Sequence, residues 1–230
     1  MNLLDAFAGA PAGPVPVRVD FTLRMPMVVP STDKPLDAVM SWAAVRQAEF
    51  NDHEDPYSVQ HDLGLARHTA DSIDGPQWCL CASNLEFEWD GSQQSLHYIK
   101  RSSLTPYVEA WMDGLLAKKP VFDGSRGATK AGSFMVTLRW VKRITGYALV
   151  EDPARFCEVL AWVTHIGKLH HKDYGATSGI SLAIDDAAKE RWMQRVLPIA
   201  SPYAKGSRAI GALRAPYWKR ENHQAVCIPQ

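Results

Sequence analysis

Residues 164–182 read THIGKLHHKDYGATSGISL: a basic loop bracketed by Gly167 and Gly175 that runs into a strand-like segment, GATSGISLAI. Lys168, His170, His171 and Lys172 place four potential cations in that loop. They repel one another unless solvent or an anionic partner screens them. Backbone amides between glycines can approach phosphates closely, the cations can neutralise them, and Tyr174 can stack on an unpaired base. Upstream, Asp152 and Pro153 read as N-cap and first residue of a helix, PARFCEVLAWVTHIG, with Phe156, Val159, Leu160 and Val163 on one apolar face. Gly167 fits its C-cap. The plainer alternative is a solvated loop after a helix C-terminus, where the dipole favours cations in any protein.

Working outward, VPVRVDFTL (residues 15–23) alternates apolar and polar residues as a half-buried strand does. LDAVMSWAAVRQAEF follows helical spacing through Leu36, Val39, Met40, Ala43, Ala44 and Gln47, with Thr32 or Asp33 available as a cap. Residues 51–76 are polar and poor in either period, which predicts an insertion or a helix-containing loop. WCLCASNLEFEWD and QSLHYIKR, parted by Gly91 and Ser92, resemble a hairpin. TPYVEAWMDGLLAKK predicts a short helix, and MVTLRWVKRITGYALV a further strand. Between those two lies a glycine-rich basic projection at about 120–134. The coarse order is strand, helix, strand, strand, helix, strand: an α+β, ferredoxin-like (RRM-like) βαββαβ core. It forms a single domain over 15–230, preceded by a flexible arm at 1–14 and carrying a C-terminal extension at 196–230.

With 230 residues, 46% of them hydrophobic, the chain can bury a real core. Its formal net charge is zero, so polyanion binding must come from local clustering, and a nonspecific nucleic-acid coat is disfavoured. No secretory signal or apolar span is evident, which predicts a soluble, cytoplasmic protein without a membrane partner. Cys79, Cys81, Cys157 and Cys227 form no CxxC pair and read as reduced structural residues rather than a zinc site or disulfide framework.

Further basic positions could extend the surface. Arg126 and Lys130 lie in the projection, and Arg139, Lys142 and Arg143 stand along the following strand, where they either continue the basic surface or face water. The tail ALRAPYWKR joins Arg214, Tyr217, Trp218, Lys219 and Arg220, although terminal aromatics commonly pack on a core. His53, His61, Asp62, His68 and Asp71 have the residue types of an HD metal site, but Asp55-Pro56 and Gly64 interrupt the rigid helices that such a site requires. No metal or other cofactor is implied.

The βαββαβ order with THIGKLHHKDYG between second helix and fourth strand resembles the CRISPR-associated RAMP superfamily. LDAVMSWAAV, THIGKLHHKDYG and ALRAPYWKRENHQAVCIP together resemble the small handle-binding subunit, the Cas-five type, of type IV CRISPR effector complexes. The resemblance covers most of residues 15–229. It implies a non-catalytic RNA-binding subunit that grips the 5′ handle of the CRISPR RNA. It also implies partners in the backbone (Cas-seven type) and large subunits, and contact with target DNA only indirectly. Gly167 through Gly175 map onto the family's glycine-rich loop. That loop is usually richer in lysine and arginine, and His170 and His171 depart from this. Two alternatives therefore stand: a metal-independent repeat-processing endoribonuclease using the loop histidines, and a protein-interaction scaffold without RNA contact.

Overall fold

In the computed structural model, residues 2–10, 12–30, 34–73, 75–100, 105–115, 118 and 132–229 are described. In chain order they form β1 (Val15–Leu23), β2 (Met27–Val28), α1 (Leu36–Phe50), β3 (Arg67–Ser72), β4 (Gly75–Leu80), β5 (Glu86–Lys100), α2 (Thr105–Met112) and β6 (Gly132–Val150). Then follow α3 (Pro153–Leu160), β7 (Thr177–Ile184), α4 (Ala188–Arg191), β8 (Leu197–Pro198), β9 (Gly206–Ala212) and β10 (His223–Pro229). The architecture is mixed α+β, with antiparallel sheets and few helices.

The main sheet runs β7-β1-β6, and both β2 and β5 pair with β6; every pairing is antiparallel. The alternation read in β1 has a direct consequence. Val15, Val17, Val19 and Phe21 are buried in one apolar cluster with Leu36, Met40, Ala43 and Ala44 of α1 and Phe156, Val159 and Leu160 of α3. Both helices thus share one face of the sheet. Asp152 caps α3 by accepting from the Arg155 amide, with Pro153 at the first helical position as its sequence predicts. The N-cap position of α1 is Pro35, which supplies no capping side chain. Thr32 and Asp33 lie outside the described residues.

Three features differ from the sequence reading. The hairpin across Gly91 does not form: residues 86–100 are one strand, paired with β6 on both sides of a register shift between Trp89 and Gln93. Gly91, at φ +91°, lets those residues bulge out without ending the pairing. Helix α3 ends at Leu160, not near Gly167, because the amides of Trp162 and Val163 bond back to Val159 and Leu160 in the tighter i→i−3 manner. Within 51–76, the helical content is one 3-10 turn, Pro56–His61, and Arg67–Ser72 forms β3 against β4. Residues Leu3–Phe7 also form a 3-10 helix, docked by Phe7 with its ring 6.4 Å from Phe156.

The C-terminal segment folds into a second sheet, β8-β10-β9. It shares a smaller core containing Cys79, Trp192, Leu197, Leu213 and Val226. All four cysteines are free and buried, and burial pushes the Cys79 thiol up to about 11 and that of Cys81 to about 12. No helix among the described residues is long and apolar enough to cross a membrane.

Candidate nucleic-acid interface

The loop from Val163 to Thr177 is tied shut at its neck. The Ile166 amide donates to Gly175 O at 2.9 Å, and the Gly175 amide donates to Pro26 O at 3.0 Å. Thr177 Oγ1 donates to the carbonyls of Val163 and Thr164. Gly175 has φ +72°, and a Cβ there would lie 2.0 Å from Ile166 O, so the neck admits no side chain. Above it, Leu169 and Asp173 adopt left-handed conformations on either side of the 3-10 turn His170–Lys172. Such non-glycine strain persists where surrounding contacts hold it.

Those contacts centre on the loop's one acid. Asp173 accepts from Arg24 Nη2 at 3.2 Å and stands 3.1 Å from His165 Nε2, while His165 Nδ1 is 3.0 Å from Thr164 Oγ1. The His165 hydrogen bond, then that of Arg24 and the Arg24 charge, hold the Asp173 carboxyl below its ordinary value. With its acid engaged, the turn leaves Lys168, His170, His171 and Lys172 exposed. The His170 ring leans on Trp42 of α1, centroids 5.2 Å apart. Partial burial pushes its pKa down, with His165, His171 and Arg46 adding to the shift. Because α3 has already ended, a helix dipole does not account for these cations.

The family model for CRISPR type IV associated protein Csf3 matches residues 15–229. The chain belongs to that family. No curated protein matches it. As a Csf3-family member it is a type IV CRISPR-associated subunit, and the match includes the whole loop and all three sheets of the described residues.

In this Csf3-family chain, the remaining sequence-predicted residues divide. Arg139 lies with its guanidinium 4.4 Å from the Trp89 ring and shares with Lys168, Gln93 and Thr137 a cleft of about 750 Å³. Strand and loop thus bring two cations to one depression. Lys142 is exposed on the same strand. Arg143 bonds to Glu88 at 3.1 Å and approaches Asp20 at 4.0 Å, so its charge is met within the sheet. Tyr174 is partly buried, packing with Leu169 against Val28, Val136 and Leu138, where its ring anchors the loop. Arg126 and Lys130 lie outside the described residues, as does most of the projection; Gly132–Phe134 belong to β6.

Other positions emerge only from the fold. Trp42, His165 and Lys34 line a cleft of about 470 Å³ with Lys168 and His170. An aromatic at an outward position of the α1 period was the available signal for Trp42; nothing in the sequence singled out His165 or Arg24. In the tail, Tyr217 is half-buried, Trp218 is 76% exposed, and the Arg214 guanidinium stacks 4.6 Å from Trp78. The HD-type residues are dispersed. His68 bonds to Ser201, His61 meets Trp78 edge-on and Asp62 pairs with Arg155.

Proposed function

We propose that this Csf3-family chain is the guide-RNA-gripping subunit of a type IV CRISPR ribonucleoprotein. It caps the 5′ handle, docks on the backbone subunit and leaves the RNA uncut. The observation that carries this is the loop itself: a turn fixed by backbone bonds and by Asp173, with Lys168 and Lys172 exposed and Lys168 lining one cleft with Arg139. Cations carried on a loop whose backbone is tied suit phosphate contact, because little backbone ordering entropy is lost on binding. A RAMP-type ferredoxin-like core is part of the proposal. The order β7-β1-β6-β5, with α1 after β1 and α3 before β7, supports it.

The endoribonuclease reading draws on the His165–Asp173 pair, since a carboxylate that orients an imidazole is a recurrent part of general-base sites. Here Nε2 of His165 faces Asp173 and Nδ1 faces the Thr164 hydroxyl, so a 2′-hydroxyl would have to displace Thr164 to reach the ring. The deciding experiment incubates the purified full chain with repeat RNA in chelator. Gripping gives a retarded complex and intact RNA. A site-specific product lost in His165→Ala, His170→Ala or His171→Ala would establish cleavage instead.

A further inference from the structure

Two clefts meet over α1. The first is the 470 Å³ cleft between α1 and the loop. The second, about 440 Å³, lies between α1, the 3-10 turn Pro56–His61 and the tail, and its lining includes Arg46, Tyr57, Pro216 and Trp218. Trp42 and His170 line both, so the clefts form one groove with an aromatic saddle. Trp218 is 76% and Tyr57 59% exposed, leaving ring surface open to water along the second half. The guanidinium of Arg46 is 5.8 Å from the Trp42 ring. Glu49, the one acid among the described lining residues, is already paired with Arg46 at 3.1 Å.

Open aromatic faces along the groove, with Lys34 and Lys168 lining its first half and the one acid paired with Arg46, match an unpaired nucleic-acid strand: bases stack on the rings and phosphates meet the lysines. The chain next to Trp218 is anchored. Its neighbour Tyr217 donates its hydroxyl to buried Asp37, and His223 Nε2 lies 3.1 Å from Tyr217 O. A ring carried on an anchored chain stacks with less loss of backbone freedom than one on a loose tail.

We infer that this groove holds an unpaired RNA stretch that leaves the basic loop, crosses α1 and ends on the tail. Its bases stack on Trp42, against which the His170 ring leans, and on Trp218. The inference rests on the guide-RNA reading of the loop and adds the path of the strand.

The test measures binding of the full chain to an oligouridine and to an abasic oligonucleotide of equal length, across a salt series. Trp218→Ala and Trp42→Ala should each weaken oligouridine binding about tenfold, a loss in the range of one lost base–ring stack. Their salt slope and their abasic affinity should match wild type, because stacking releases no counterions. Trp218→Phe should restore most of the affinity and shows that the effect is not misfolding. Tryptophan variants that bind both probes as wild type does, while Lys168→Ala with Lys172→Ala still lowers the slope, would overturn the groove and leave the loop reading standing. The same RNA binding combined with failure to join the effector complex would mark a protein contact, and also overturns it. Absence of salt-dependent affinity in wild type would overturn both readings.

Discussion

Arg195 donates through Nη1 to Asp37 Oδ1 at 3.0 Å, with the side chains 1% and 0% exposed. Nη1 also reaches the carbonyls of Leu80 and Ala82, Nε donates to Val196 O, and Nη2 to Leu213 O and the Tyr217 hydroxyl. This one guanidinium fastens the start of α1, the end of β4 and the tail that carries Trp218. Removing one partner strands a buried charge, so Arg195→Met or Asp37→Asn should cost about 3–5 kcal/mol of stability. Tyr217→Phe leaves Asp37 short of one donor and should cost about 1–3 kcal/mol. Urea denaturation reads both; unchanged midpoints would show that the pair is not a structural clasp.

Asp173 carries a pH signature. Its carboxyl is held below its ordinary value by His165 and then Arg24, so its contribution to the loop is complete above the usual carboxylate range. That contribution is lost as pH falls through the depressed value. Titrating the Asp173 carboxyl by NMR should give a midpoint below the ordinary Asp value, and Arg24→Ala should raise it. An Arg24→Ala midpoint identical to wild type would deny Arg24 its anchoring role.

The two glycines of the loop differ in what a methyl group would meet. At Gly175 a Cβ runs into Ile166 O at 2.0 Å, and at Gly167 into the mobile end of Met27 at 3.2 Å. Both positions have positive φ, but a backbone carbonyl cannot yield as a methionine methyl can. Gly175→Ala should therefore lower the thermal midpoint further than Gly167→Ala. The reverse order would mean that the neck of the loop is not fixed by the Ile166–Gly175 bond.

β1, α1 and the start of α3 were legible because each carries its own local code: strict alternation, a 3.6-residue period, an Asp-Pro cap. The long β5 was not. Gly91-Ser92 looks like a turn, yet pairing with β6 on both sides overrides the local chemistry and turns it into a bulge. Gly167 looks like a cap for α3, but the helix tightens and stops at Leu160. The cations of the loop were visible as composition. Their setting was not, since Arg24 and Trp42 reach Asp173 and His170 across long stretches of chain, and Arg195 meets Asp37 at a separation of 158 residues.

His170 separates gripping from cutting by its pH behaviour. Burial against α1 pushes its pKa down, so the free protein holds it neutral at physiological pH, and it gains charge only as pH falls through the depressed value. His170→Gln should change RNA affinity little at about pH 7.5 and weaken it more once the pH has fallen below the depressed value, where the wild-type ring contributes a cation. An equal loss in both conditions would assign the ring an uncharged role.

The most direct measurement is the salt dependence of guide-RNA affinity for wild type and for Lys168→Ala with Lys172→Ala. Each phosphate contact on a single strand contributes about 0.7 to the slope of log affinity against log salt, so losing both lysines should flatten it by about 1.4. A slope lowered by that amount, with weaker binding and a folded protein, is the result the account predicts. An unchanged slope and affinity would contradict it and remove the loop from the RNA interface.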